Sequence, residues 1–129
     1  MSEVSTQPIR VLCVEDERFI GELYKRSLVN AGYDVTLARD GIDGFEQAKT
    51  NTYDIILLDI MIPEILGIDV LKKLRSEVPN LKSKIIITTN LELDEKAREG
   101  IEKEADAYLI KAEITPKQLV EFLDTLKLT

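Results

Sequence analysis

The stretch Tyr53-Asp54-Ile55-Ile56-Leu57-Leu58-Asp59-Ile60-Met61-Ile62-Pro63 decides how this chain folds. Ile55 to Leu58 is an unbroken apolar run, too short for a helix of its own and closed off by Pro63. Such a run reads as a central strand buried on both faces, as strands of parallel sheets are. Asp59 follows where the chain leaves the core. Ligands of open α/β sheets bind in the crevice outside the carboxyl ends of the strands. A lone aspartate there would read as a turn former or a helix N-cap. The polar residues elsewhere in the chain change that reading.

Working outward, residues 1–8 form a polar arm expected to fray, and 9–129 form one domain. Ile9 to Val14 suits a buried strand and ends in Glu15-Asp16-Glu17. Phe19, Ile20, Leu23, Tyr24, Leu28 and Ala31 follow a helical period, with Gly32 as its C-terminal cap. Val35, Leu37 and Ala38 make a second strand. Ile42, Phe45 and Ala48, with Gln47 and Lys49 turned to water, make a short helix. After Pro63 and the loop to Gly67, Val70, Leu71 and Leu74 line a helix that Pro79-Asn80 breaks. Ile85 to Ile87 is a fourth strand ending in Thr88-Thr89-Asn90. A charged helix is expected over about 92–104. Ala107 to Ile110 is a fifth strand ending in Lys111, and Thr115-Pro116 opens a last helix lined by Leu119, Val120, Phe122, Leu123 and Leu126. Five strands alternating with five helices imply a parallel sheet with right-handed crossovers, covered on both faces.

Composition narrows the chemistry. At 129 residues, 44% hydrophobic and 32% charged, the chain can bury a core without staples. No apolar run approaches the roughly 20 residues of a membrane span, and the N-terminus lacks the pattern of a secretory signal. A cytoplasmic location without membrane insertion is therefore expected. The one cysteine, Cys13, lies in an apolar run and reads as a buried small hydrophobe in a reducing compartment. A net charge of −7 argues against a nucleic-acid surface. The chain has no histidine, which excludes Ser-His and Cys-His catalysis and histidine metal sites. Carboxylates, hydroxyls and lysines remain.

Those groups gather at strand ends: Glu15 and Asp16 after strand one, Asp59 after strand three, Thr89 after strand four and Lys111 after strand five. With the strands in the spatial order 2-1-3-4-5, these ends are contiguous and the side chains can meet. Three neighbouring carboxylates repel one another unless a cation lies between them. All-oxygen ligation suits magnesium. A lysine and a hydroxyl facing that cluster are what a transferred phosphoryl group needs, with Asp59 as the nucleophile that forms an acyl phosphate. Each residue has an ordinary explanation alone: Glu15-Asp16-Glu17 as helix caps, Thr88 and Thr89 as strand-end hydroxyls, Lys111 as a solvated lysine. Their joint placement favours the functional one.

From about Ile9 to Leu128 the chain resembles the receiver domain of two-component response regulators, of the single-domain chemotaxis type. The residues that carry the likeness are Val14-Glu15-Asp16, Leu57 to Pro63 with Gly67 beyond, Thr89, and Ala105 to Lys111. The resemblance implies a doubly wound, flavodoxin-like α/β fold with strand order 2-1-3-4-5. It implies Asp59 as the phosphorylated aspartate, and Asp16, Asp59 and the backbone carbonyl of Met61 as magnesium ligands. Glu15 corresponds to an outer acid that often acts through water. Thr89 resembles the switch hydroxyl, Tyr108 the aromatic that turns inward with it, and Lys111 the phosphate-pairing lysine. Tyr108 alone would read as a half-buried edge-strand aromatic. The implied donor is a sensor histidine kinase or a histidine phosphotransfer protein. The implied readout is binding of a downstream protein target through the face of helix four, strand five and helix five, with homodimer formation on phosphorylation left open. Nothing in the resemblance implies a turnover enzyme.

The chain departs from the family at three places. Ala112 follows Lys111, where the family usually has proline in a cis peptide. A non-proline cis bond costs roughly 2.5–4 kcal/mol, so a trans peptide is expected. Asn90 stands where a small residue is common and either narrows access or hydrogen-bonds the phosphoryl group. Met61 and Leu91 are apolar and cannot position an attacking water. A long-lived acyl phosphate is expected, and rapid self-dephosphorylation unchanged by polar substitution at both positions would refute it. Rival readings are a degenerate, unphosphorylated receiver acting as a binding module, the excised receiver of a longer regulator, and an aspartyl phosphohydrolase. Hydrolases resembling haloacid dehalogenases need a second acid two residues after the nucleophile, where Met61 stands here. With little chain after the last helix, a stand-alone receiver is the expectation.

Overall fold

The computed structural model describes residues 7–90, 93–126 and 128. Five parallel strands, β1 (Arg10–Val14), β2 (Asp34–Ala38), β3 (Ile55–Leu58), β4 (Lys84–Thr89) and β5 (Ala107–Ile110), form one sheet in the order β2-β1-β3-β4-β5. Helices α1 (Arg18–Asn30), α2 (Gly41–Thr50), α3 (Gly67–Glu77), α4 (Glu95–Glu102) and α5 (Pro116–Asp124) connect and follow them. This is the doubly wound, flavodoxin-like α/β fold, with the expected strand order.

Alternation along the strands builds two cores. Leu12, Val14, Ile56, Leu58, Ile85 and Ile87 pack against α2, α3 and Ile101 of α4. Val11, Cys13, Ile55, Leu57 and Ile86 face the other way, against Tyr24 and Leu28 of α1 and Leu119 and Leu123 of α5. The central strand is wholly buried, which accounts for its unbroken apolar run. Register carries the site. Val14 pairs with Leu58, Leu58 with Ile87, and Ile87 with Tyr108, so the residues after β1, β3, β4 and β5 emerge along one rim.

Local chemistry sets the ends. Glu17 caps α1 by accepting from the Phe19 N–H, while Gly32 beyond its end takes φ +100, a conformation that favours glycine. Thr115 and Gln118 form a reciprocal capping box at α5, with Pro116 at its first position. Several expectations need correction. Phe19 and Ile42 lie on the apolar stripes of α1 and α2 by sequence, yet they are 71% and 50% exposed. Both sit in a first helical turn at the rim, above the edge of the core. Gln47 does not simply face water: its side-chain oxygen accepts from the Tyr53 hydroxyl at 3.2 Å. The charged helix is shorter than expected, with Asp94 capping it through the Ala97 N–H. Glu92 lies outside the described residues, as does most of the N-terminal arm. A one-turn 3-10 helix over Lys111–Glu113 has no counterpart in the sequence pattern.

Candidate functional site

The rim owes its shape to two close backbone approaches. A Cβ on Gly67 would lie 2.1 Å from the Asp59 carbonyl oxygen and 2.7 Å from the Ile60 Cα, so only glycine lets α3 start there. A Cβ on Gly41 would lie 2.0 Å from the Ile65 carbonyl oxygen. Gly67 N–H donates to the Ile60 carbonyl at 2.8 Å, and Gly41 N–H to the Pro63 carbonyl at 2.9 Å. Between these clamps Glu64 takes φ +74, while Ile65 N–H donates back to the Pro63 carbonyl at 2.9 Å. That pair of features is a γ-turn of the positive-φ kind, which is rare and strained.

Within this frame the Lys111 Nζ donates to Glu15 Oε1 at 2.6 Å and to Asp59 Oδ2 at 2.7 Å. Both carboxylates are buried, at 3% and 4% exposure. The remaining oxygens are also engaged: Asp59 Oδ1 accepts from the Met61 N–H at 3.1 Å and Glu15 Oε2 from the Glu17 N–H at 3.0 Å. Asp16 is exposed, and one carboxylate oxygen from each of Glu15, Asp16 and Asp59 lies within 4.8 Å of the others. Three carboxylates against one ammonium leave an excess of negative charge facing solvent at one spot. That donor set, hard oxygens with one exposed member, fits a hard divalent cation.

The pKa shifts follow from this packing. Burial raises the Glu15 carboxyl, against the opposing pull of its bonds to Lys111 and the Glu17 N–H. Burial acts to lower the Lys111 ammonium, but its bonds to Asp59 and Glu15 outweigh that and leave it raised. Burial, with the negative charge of Glu15 and Asp59 nearby, pushes the Cys13 thiol up to about 12. Cys13 is therefore an unreactive core thiol.

Glu15, Asp16, Asp59 and Lys111 are thus brought together as the sequence implied. Glu15 is in addition a buried partner of the lysine. Thr89 is fully buried at the end of β4 on the same rim. Tyr108 pairs with Ile87, two positions before Ile110 on β5, and the Arg98 guanidinium lies 4.8 Å over its ring. The Met61 side chain is 56% exposed, and Leu91 lies outside the described residues. The Lys111–Ala112 peptide is trans, with no cis peptide among the described residues. One partnership had no sequence signal: Asn90 Oδ1 accepts from the Ala112 N–H at 2.7 Å.

A parallel five-stranded sheet in the order β2-β1-β3-β4-β5, with an acidic cluster and a lysine at its carboxyl rim, defines a doubly wound α/β domain of the receiver class. The family model for the response regulator receiver domain matches residues 11–124, and the chain belongs to that family. It is 41% identical over 103 residues to the transcriptional regulatory protein CusR of Escherichia coli K12, covering 80% of this chain and 44% of that regulator. The chain thus spans under half the length of that curated relative. The receiver domain of Francisella response regulator 1452 superposes with a TM-score of 0.80 at 32% identity, over 90% of this chain and 93% of the other. Response regulator TrrA of Thermotoga maritima, solved in complex with Mg(2+)-BeF, gives a TM-score of 0.78 at 30% identity, over 92% and 99%. No helix among the described residues is long and apolar enough to cross a membrane.

Proposed function

We propose that this receiver takes a phosphoryl group on Asp59 from the phosphohistidine of a sensor histidine kinase or histidine phosphotransfer protein. The observation that carries the reading is the Lys111 ammonium held between Asp59 and Glu15, with Asp16 completing an oxygen cluster. In the transfer, an Asp59 carboxylate oxygen attacks phosphorus. The O–P bond forms as the N–P bond breaks, its electron pair passes to the ring nitrogen, and the imidazole leaves neutral because its other nitrogen already carries a proton. Lys111 pairs with the phosphoryl oxygens, and Thr89 donates a hydrogen bond to them. Asp16, Asp59, the Met61 carbonyl and, in the outer position, Glu15 would hold Mg2+, which when bound neutralises charge on the phosphoryl oxygens. The acyl phosphate is a signal on the protein itself, so the domain turns over no external substrate.

The reading extends to output. The added charge biases a two-state equilibrium in which Thr89 and Tyr108 rearrange, and a downstream protein reads the face of α4, β5 and α5. On that face the Arg98 guanidinium covers the Tyr108 ring at 4.8 Å. The proposed unit is 9–129, acting by partner binding.

The test is incubation with magnesium and acetyl phosphate, followed by intact mass. A single phosphoryl adduct is expected for the wild type, and none for Asp59→Ala or after chelation of the metal. Absence of an adduct with every small donor would make the domain a phosphorylation-independent binding module instead.

A further inference from the structure

Two of the three places where the sequence departs from its family turn out to touch. Lys111 opens a single 3-10 turn, and the Ala112 N–H at its start has no partner within that turn. The side chain of Asn90 accepts it at 2.7 Å. One residue before Asn90 and two before Ala112, Thr89 and Ile110 are register partners between β4 and β5. The Lys111 backbone is therefore bracketed. Ile110 is fixed to β4 by the sheet ladder, and Ala112 is fixed to the residue just past the end of β4 by a side chain.

This bracket bears on the chemistry because Lys111 is a long side chain reaching back to two buried carboxylates. A lysine carries roughly 2 kcal/mol of rotamer entropy, so the precision of its tip depends on where its backbone starts. β5 gives that start little support of its own. It is an edge strand of four half-buried residues, and the chain turns immediately after it. A proline after the lysine would have no N–H to satisfy. Alanine supplies one, and Asn90 supplies its acceptor.

We propose that Asn90 is a positioning residue for phosphoryl transfer, holding Lys111 in place through the Ala112 N–H. The inference rests on the phosphoacceptor reading of Asp59 and goes beyond it by assigning a role to a residue outside the charged cluster. It also ties Thr89 to Lys111, because the bond leaves β4 one residue beyond the threonine. The competing role for Asn90 is a gate: a larger side chain that only narrows access to Asp59.

The experiment measures phosphorylation by phosphoramidate with magnesium, by intact mass, for wild type, Asn90→Ala and Asn90→Leu. Leucine keeps the bulk of asparagine without its acceptor. Loss of one neutral hydrogen bond lowers the maximal rate roughly threefold to tenfold in both variants, with KM changed less than about twofold. The Ala112 amide should exchange faster with deuterium in both. In a Lys111→Met background, Asn90→Ala should cost nothing further, because its effect passes through the lysine. A faster Asn90→Ala with a lower KM and an unchanged Asn90→Leu would overturn the inference in favour of the gate. So would a loss that persists in the Lys111→Met background, or variants indistinguishable from wild type. If the wild type takes no adduct, or keeps it in Asp59→Ala, the phosphoacceptor reading fails and takes this one with it.

Discussion

Leu57 in β3 has no exposed surface, and the loop after it is wedged between Gly41 of α2 and Gly67 of α3. Every residue of β5 is half-buried, and the turn after it hangs on the Lys111 and Asn90 side chains. Both strands deliver a candidate functional side chain to the same rim, one by backbone wedging and the other by side-chain tethers. The contrast suits the proposed phosphorylation switch. A nucleophile needs a fixed position, whereas elements that rearrange are drawn from the less stable parts of a fold. Asp59 sits on the part that cannot move without breaking the core.

The largest expected effect tests the contrast directly. Leu57 and Leu109 belong to the same core cluster, so truncating each compares the two strands with chemistry held constant. Leu57→Ala should cost about 3–4 kcal/mol, and Leu109→Ala roughly 1–2 kcal/mol, because a half-buried side chain has less to lose. Urea unfolding measures both. Equal losses would mean that β5 is as firmly held as β3, and the contrast would fail.

Next in size is Gly67→Ala. Alanine improves helix propensity by up to about 1 kcal/mol, but its Cβ meets backbone atoms of Asp59 and Ile60 that cannot swing aside. A net loss of about 2 kcal/mol is expected in urea unfolding, the overpacking cost winning. Phosphorylation should slow as well, since the shifted peptide belongs to Asp59, the proposed nucleophile. A neutral or stabilising Gly67→Ala would show that the wedge is loose.

How much of this could be read beforehand divides along the same line. The buried strands were legible because apolar runs such as Ile55 to Leu58 report burial on both faces, and strand-end placement put Glu15, Asp16, Asp59 and Lys111 on one rim. Family likeness supplied the strand order that makes them meet. Contacts between a side chain and a distant backbone atom leave no such trace. The Asn90–Ala112 bond spans 22 positions, and nothing periodic announces it. Phe19 and Ile42 were misplaced because helical period assigns a face but not a height. At the first turn, the apolar stripe has already risen above the core. The wedge at Gly67 was equally silent, since a glycine needed for closeness looks like any glycine in a loop.

A smaller effect concerns how the helix after β5 is anchored. The Tyr33 hydroxyl donates to Asp124 Oδ1 at 2.6 Å, tying the end of α5 to the start of β2 on the opposite edge of the sheet. Tyr33→Phe should cost about 1–2 kcal/mol, as for a hydrogen bond to a charged acceptor. Burial raises the Tyr33 phenol above its ordinary 10.0, and Asp124 raises it further. A folded pKa above the unfolded one means a contribution fully present below pH 10.0 and lost as pH rises through the folded value. Wild type should therefore lose stability above that pH more steeply than Tyr33→Phe. Tyr24, pushed up to about 12 by burial, leaves the variant with some alkaline loss of its own. Parallel pH profiles would show that α5 is held by packing alone.

The smallest effect reverses a sign. Gly100 lies in α4, exposed, and beyond its chain neighbours and its own helix backbone nothing among the described residues lies within 4 Å of where its Cβ would be. The substitution that should damage the β3 side ought therefore to help here, because alanine loses less backbone freedom on folding. Gly100→Ala should gain about 0.5–1 kcal/mol in urea unfolding. The gain also bears on the switch. α4 carries Arg98, which covers Tyr108, and a stiffer α4 holds that cover in place more often. If Tyr108 must move for output, Gly100→Ala should bind a beryllofluoride phosphoryl mimic more weakly while the unliganded protein is more stable. If both quantities rise together, α4 is rigid in both states, and the looseness of the rim is confined to the Lys111 turn.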